Sequence, residues 1–374
     1  MSNQSPSTRG RKPAATMSMR SVDHPIILYG AGFCGIMVME LLRKTGVTPL
    51  CFFDGNGAKQ GTLIDGIPVT AACPRPQASD PLVIVCMLEK SGAYAQIKTA
   101  LEQMGYSQVH HILEFRDDAQ LFRHQPLVIH PDHESILENA DSIHLVEQML
   151  DDTLSKQTYQ SVFRFLREGP DVEIPTFPLA MQYFQDDVYL PVPEEVFIDC
   201  GAFKGDTLKD FMQHRDGRYG QYVAIEPLAA YAGVLDRQAN RLGVDRIRIM
   251  QCALSDEKGT LRMHDYGGEN AIVMETGESA VPCDRLDALL AGCKPTMIKI
   301  DIEGYEKRAL AGAVSTIRTH RPVLAIAIYH HTEDLWEIPM QIRHDYPWYS
   351  LHVRSYMNLA ETVLYAVPTN RRAR

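Results

Sequence analysis

"VFIDCGAFKGDTLKDF", residues 196–211, is the stretch on which the fold turns. Apolar residues lead to Asp199 and Gly201, and the chain then passes Gly205 and Asp206 into a segment with helical spacing. A buried strand, a glycine turn and a helix, in that order, open an α/β unit. Glycine permits the tight turn and a close approach to the backbone. The helix N-terminus that follows favours an anionic group. "YVAIEP" (222–227) then ends a second strand at Glu226. An acid at that place is positioned to accept hydrogen bonds from ribose hydroxyls. Turn and acid together point to a nucleoside-bearing ligand.

Working outward, "IRIMQCALS" (247–255), "TMIKIDIE" (296–303) and "PVLAIAIYH" (322–330) read as further strands. "YSLHVRS" and "TVLYAVP" close the chain with too few residues between them for a helical crossover, so they are expected as an antiparallel pair. Within "MIKIDIEGYE" (297–306), residues two apart in a strand point to one side, which would bring Asp301 and Glu303 together at the strand's tip. The bland alternative is that one of these acids caps a helix beginning near Gly304. Lys299 shares their face and is expected to pair with one of them. "IYHHTED" presents His330 and His331 on the same rim, as candidate bases or as surface or ring-stacking groups.

The segments "VFIDCGAFKGDT", "AIEP", "CALSDEKGTL", "PCDRLDAL" and "IKIDIEGYEKRALAGA" stand in the order and spacing of the FkbM-type S-adenosylmethionine-dependent methyltransferases, and residues 190–368 resemble that family. The resemblance implies a seven-stranded Rossmann-like sheet with an antiparallel terminal pair, and methyl transfer to a hydroxyl of a sugar, glycoconjugate or natural product. By the same resemblance the loop of Asp199, Gly201, Ala202 and Gly205, with Asp206 and Thr207, would hold the methionine part of the cofactor. Glu226 would hold the ribose, Ser255 and Asp256 would lie near the adenine, and Asp301 and Glu303 would face the reacting centre. An alcohol is a poor nucleophile until its proton is removed. Asp301 or Glu303 could take that proton, or could hold a hard, oxygen-liganded ion such as Mg²⁺.

Near the front, "PIILYGAGFCGIMVMELLRKTG" (25–46) reads as strand, glycine turn and amphipathic helix. Gly30, Gly32 and Gly35 form a full G-x-G-x-x-G, and Asp54 ends the next strand, "PLCFFD". That is the dinucleotide fingerprint in its proper setting. "GTLIDGIPV" (61–69) reads as a turn-rich connector, "LVIVCM" (82–87) as a third strand, 91–104 as a helix and "QVHHIL" (108–113) as a fourth strand. Through "ILYGAG", "FFDGN" and "GTLIDGIPV" this region resembles the nucleotide-binding domains attached to sugar-nucleotide-modifying enzymes. The resemblance implies a bound nucleotide or dinucleotide, and it raises two rivals: an NAD(P)-dependent sugar-nucleotide oxidoreductase or epimerase, and a non-catalytic nucleotide-sensing scaffold. Tyr94 and Lys98 have Y-x-x-x-K spacing, but after only three strands they come too early for a short-chain dehydrogenase site.

The expected organisation is therefore α/β throughout: a tail over 1–24, two Rossmann-like domains over 25–115 and 191–368, a helical connector and lead-in loop over 116–190, and a basic tail over 369–374. In the lead-in, Tyr183, Phe184 and Tyr189 either wall the acceptor pocket or pack in the core. The net charge of −10 argues against nucleic acid as a partner. Arg371, Arg372 and Arg374 read as part of a solvated tail, like the basic cluster at the front. Eight cysteines without a C-x-x-C pair argue against zinc and fit a reducing cytoplasm. No apolar run is long enough to span a membrane, and no apolar stretch of a secretory signal follows the basic front. The expected partners are a small-molecule or saccharide acceptor and, left open, further copies of the chain in a homo-oligomer.

Overall fold

The computed structural model describes residues 24–75, 80–87, 92–115, 133–168, 172–265, 271–273, 279–356 and 361–373. The chain divides into two compact units, one of Met1–Gln125 with Glu168–Asp171 and one of Pro126–Arg167 with Val172–Arg374. The tail expected over 1–24 lies, but for His24, outside the described residues.

In the first unit, β1 (Ile26–Tyr29) runs through a glycine turn into α1 (Phe33–Lys44). β2 (Cys51–Phe53), β3 (Leu63–Ile64), β4 (Ile67–Thr70), β5 (Leu82–Val85), α2 (Gly92–Gln103) and β6 (Val109–His111) follow, and the sheet order is β3-β4-β2-β1-β5-β6. β5 is buried along its whole length, as an unbroken apolar run in a parallel sheet should be. "GTLIDGIPV" is more than a connector. It folds into the β3–β4 hairpin, and β4 pairs parallel with β2. Its alternating burial shows why it can do so: Ile67 and Val69 turn inward while Pro68 and Thr70 face out. Tyr94 is a packing residue, buried and donating its hydroxyl to Glu114 at 3.2 Å.

The second unit begins with three helices, α3 (His133–Glu138), α4 (Ala140–Met149) and α5 (Thr153–Glu168). These belong to its core rather than to a free connector. Tyr159 donates to Leu335 O at 3.0 Å, and Asp152 accepts from His352 at 2.6 Å. The main sheet contains β7 (Val196–Cys200), β8 (Gln221–Ile225), β9 (Ile247–Met250), β14 (Met297–Ile300), β15 (Val323–Ala327), β16 (Tyr349–Ser355) and β17 (Thr362–Pro368). Its order is β16-β17-β15-β14-β7-β8-β9, with β16 and β17 antiparallel. α6 (Asp206–Arg215), α7 (Ala229–Leu242), α8 (Leu286–Leu289), α9 (Glu306–Ala311), α10 (Val314–His320) and α11 (Asp334–Asp345) are the remaining α-helices among the described residues.

Three sequence expectations change here. The run 247–255 is two strands: β9 stops at Met250, and β10 (Ala253–Leu254) joins a separate sheet. That sheet, with β11 (Gly259–Asp265), β12 (Ala271–Val273) and β13 (Ser279–Asp284), encloses its own small core of Leu228, Tyr231, Met263 and Val281. Next, β14 ends at Ile300, before Asp301, and Glu303 has a left-handed backbone with φ 58°. Strand alternation therefore does not place these two acids. Finally, the C-terminal arginines are not all solvated. Arg371 is buried and pairs with the fully buried Glu195 at 3.0 Å, while its backbone carbonyl accepts from Leu190 N at 2.7 Å.

Candidate active site

Ligands of open α/β sheets bind outside the carboxyl ends of the strands. The second unit has a cavity of about 270 Å³ there. Over β7 and β8 its wall includes Gly201, Phe203, Asp206, Thr207, Glu226 and Tyr231, joined by Cys252, Ala253 and Leu254. Over β14, β15 and β17 it includes Tyr183, Asp301, Glu303, Tyr329 and Glu361.

The β7 side is built by a glycine contact. Gly201 has φ 84°, and a Cβ there would stand 1.9 Å from the carbonyl oxygen of Asp301. Only glycine lets the turn after β7 press against the loop after β14. Gly205 has φ 91° and caps α6, and a Cβ on it would meet Leu235 at 2.7 Å. Ala202 is wholly buried and Asp199 lies beneath the wall rather than in it. Asp199 accepts from the Tyr222 hydroxyl and holds the Lys299 ammonium at 3.0 Å, and Lys299 also donates to Gly201 O at 2.6 Å. So Lys299 pairs with Asp199, not with Asp301 or Glu303. Burial alone would lower its pKa, but the carboxylates of Asp199, Asp301 and Asp206 together outweigh that and hold the ammonium charged.

Glu226 stands just past β8. It accepts from Phe203 N at 3.0 Å and from Leu228 N at 2.9 Å. Burial pushes its carboxyl up to about 7 despite these two amide donors. Ser255 and Asp256 do not line the cavity. They bond to each other at 3.0 Å, and Asp256 pairs with Arg308 at 2.9 Å on the outside. Cys252, Ala253 and Leu254 wall the cavity in their place because the chain breaks direction after β9.

At the acidic side, Asp301 Oδ2 accepts from the Tyr183 hydroxyl at 2.6 Å, and Tyr329 OH lies 3.3 Å from Oδ1. His330 Nε2 is 3.5 Å from both Asp301 Oδ1 and Glu303 Oε2, and its Nδ1 is 3.1 Å from Glu306 Oε1. Burial would lower the imidazole's pKa, but the charges of Glu306 and Glu303 prevail and hold it well above its ordinary value. An imidazolium has no lone pair with which to take a proton, so His330 is unsuited to the role of base. His331 packs against Gly304, where a Cβ would come 2.5 Å from its Nε2, and does not line the cavity. The N-cap of the next helix is Tyr305, and Glu306 in its first turn reaches back to accept from Ile302 N at 2.8 Å, so neither Asp301 nor Glu303 caps that helix.

Burial pushes the Glu303 carboxyl up to about 7, with His330 opposing and Asp301 reinforcing. The same cause, with the charge of Asp301, pushes Glu361 up to about 8. Glu361 accepts from Gln182 Nε2 at 2.6 Å. No motif pointed to it. The one signal was its place directly before "TVLYAVP": in an antiparallel strand the first residue falls on the rim where the parallel strands end.

Asp301, Glu306 and His330 bring ligand atoms within 4.8 Å of one another. Yet Glu306 takes one edge of the ring and Asp301 the other. Asp301 and Glu303 both face the same cationic nitrogen. An imidazolium ion-paired at both edges accounts for this set, and a Mg²⁺ between Asp301 and Glu303 would face that charge. The residues do not fit the ion.

In the first unit, Asp54 Oδ2 accepts from Ala31 N at 2.8 Å, and Lys59 donates to Ala31 O at 2.9 Å. The glycine fingerprint of Gly30, Gly32 and Gly35 thus bonds to its own strand-end acid, with a lysine beside it.

No curated protein matches this chain. Among solved structures it is similar to an FkbM methyltransferase from Methylobacillus flagellatus KT, at 20% identity and a TM-score of 0.69, over 91% of this chain and 89% of the other. It is similar also to an rRNA methylase from Streptococcus thermophilus, at 13% identity and a TM-score of 0.33, over 49% of this chain and 90% of that one. The first likeness is one of fold. It concerns a sheet that in this chain carries the cavity on its rim, and residues 199–362, which include Glu226, Asp301, Glu303 and Glu361, match the methyltransferase FkbM domain family.

Proposed function

We propose that the second unit transfers a methyl group from S-adenosylmethionine to a hydroxyl oxygen of an uncharged acceptor, a saccharide, glycoconjugate or natural product. One observation carries this reading: a single cavity runs from the Gly201 turn and Glu226 to the acids and phenols over β14, β15 and β17. On this reading Gly201, Asp206 and Thr207 hold the methionine part of the cofactor. Glu226 holds the ribose, and Tyr231 with Cys252–Leu254 encloses the adenine. The bound sulfonium supplies the methyl group. The acceptor meets carboxylates and phenols. Among the described lining residues Lys299 is the only lysine or arginine, and its ammonium is taken by Asp199 and Gly201 O. Among the described lining residues a phosphorylated acceptor would find no free cation to pair with, which favours a neutral one.

Calorimetry on the full chain tests the cofactor. S-adenosylmethionine should bind and NAD(P)H should not, and Glu226→Ala should weaken the binding by about 1.5–3 kcal/mol, the range for hydrogen bonds to a charged group. Unchanged affinity in that variant would remove Glu226 from the site. Heat from NAD(P)H with none from S-adenosylmethionine would overturn the reading.

A further inference from the structure

The carboxylates that follow β14 differ in what already holds them. Asp301 Oδ2 accepts from Tyr183 OH at 2.6 Å, Tyr329 OH lies 3.3 and 3.5 Å from its two oxygens, and His330 Nε2 is 3.5 Å from Oδ1. Tyr183 is itself fixed in a left-handed backbone, φ 68°, by Tyr365 OH on its N–H at 3.0 Å and Tyr189 OH on its carbonyl at 2.9 Å. Asp301 therefore faces two phenols and an imidazolium. Glu303 accepts no hydrogen bond among the described residues; His330 Nε2 stands 3.5 Å from its Oε2. Its left-handed backbone costs about 1 kcal/mol. Such strain persists only where the surroundings over-determine it; the next residue, Gly304 at φ 93°, is packed against His331.

We propose that Glu303 takes the proton of the acceptor hydroxyl, while Asp301 is a positioning residue that Tyr183 and Tyr329 hold in place. This rests on the reading of methyl transfer to a hydroxyl. The hydroxyl oxygen forms the new O–CH₃ bond, the electron pair of the broken S–CH₃ bond stays on the donor's sulfur, and the proton passes to a Glu303 oxygen. The groups that face Glu303 are Asp301 and Glu306 on its own loop and helix, Lys299 on β14, His330 after β15 and Glu361 before β17. Burial among them brings its carboxyl to about 7, where a base is effective at neutral pH.

The test compares Glu303→Gln, Asp301→Asn and Tyr183→Phe in the full chain. Glu303→Gln should lower kcat by about 10²–10⁴-fold and abolish the near-neutral limb of its pH profile, with S-adenosylmethionine affinity changed less than about threefold. Asp301→Asn and Tyr183→Phe should raise KM for the acceptor more than they lower kcat, and should keep the limb. A limb that survives Glu303→Gln, or is lost only in Asp301→Asn, overturns the assignment. Carbon NMR of labelled side-chain carboxyls needs no acceptor: a signal titrating near neutral pH should vanish in Glu303→Gln and persist in Asp301→Asn, and the reverse overturns it. If the wild type methylates no hydroxyl while that titration behaves as expected, the methyl-transfer reading has failed and the division between the two acids has not.

Discussion

Each unit has a glycine turn answered by an acid at the end of the next strand, and the two turns use the same internal bond. Asp54 accepts from Ala31 N at 2.8 Å, and Glu226 accepts from Phe203 N at 3.0 Å. What surrounds them differs. In the first unit the glycines let the turn close on itself, since a Cβ on Gly35 would lie 1.8 Å from Gly30 O. In the second, Gly201 lets two separate loops meet, and the other loop carries Asp301. Electrostatics follow. Burial pushes both acids up, but the amides of Asn56 and Ala31, with Lys59, bring Asp54 below its ordinary value, whereas Glu226 ends near 7. By spacing alone the first turn is the better fingerprint. A binding site also needs walls, and those of the second turn come from distant parts of the chain.

The largest effect expected from this contrast is that of Gly201→Ala against Gly32→Ala. The former must displace the Asp301 carbonyl and hold alanine at φ 84°, so it should cost about 3–5 kcal/mol and abolish cofactor binding. Gly32 has φ −104°, and its nearest neighbour for a new Cβ is Lys59 Nζ at 3.9 Å. Gly32→Ala should cost less than about 1 kcal/mol and leave S-adenosylmethionine binding intact. Urea melts and calorimetry of both variants would show it, and loss of that binding in a folded Gly32→Ala protein would mean that the two turns have been given each other's roles.

The β7 turn, Glu226 and the antiparallel terminal pair were legible in the sequence because each is local: an apolar run, a glycine and a polar residue at a fixed offset. The acidic side was legible only in part. Asp301 and Glu303 do meet at His330, but a left-handed residue brings them there, and alternation along a strand predicts the wrong cause. Glu361 and the wall of Cys252–Leu254 were not legible. The first depends on β17 lying antiparallel beside β15, and the second on β10 leaving the main sheet for partners 30 residues later, in β13. Pairings at that range leave no period to read.

The units should also part company with pH. A carboxyl whose pKa is raised on folding binds a proton that the unfolded chain has lost, so stability falls as pH rises between the two values. In the second unit this holds for Asp334 near 6, Glu226 and Glu303 near 7 and Glu361 near 8. His330, raised, contributes stability at lower pH that is likewise lost as pH rises. In the first unit Glu114 is brought down to about 2: burial opposes this, and His110 with the His111 amide outweighs it. Its contribution is present above about pH 4.5 and is lost toward pH 2. Trp336 and Trp348, the chain's two tryptophans, both lie in the second unit. The unfolding free energy from urea melts read by their fluorescence, without ligand, should fall between about pH 6 and pH 8.5, by an amount on the order of 2–5 kcal/mol. A flat or rising free energy would mean that these acids are more hydrated than the fold implies.

The smallest effect should come from Lys59. Its ammonium is 2.9 Å from Ala31 O and 3.5 Å from Asp54 Oδ2, and its side chain is 41% exposed. An ion pair so open to water contributes about 0–1 kcal/mol, since solvent screens the charge and the long side chain loses freedom to hold it. Lys59→Ala should therefore change stability by no more than that, and Asp54 should stay in place because the Ala31 and Asn56 amides hold it at 2.8 Å each. The useful arm is binding. If Lys59 alone kept ligands out, its removal should create affinity for NAD(P)H at the first turn. We expect none, because Asp54 still fills the acid's position with bonds to its own loop, whereas the second turn has Tyr231 and Cys252–Leu254 in the wall beside it. New dinucleotide affinity in Lys59→Ala would show that the two turns differ by one side chain rather than by what encloses them.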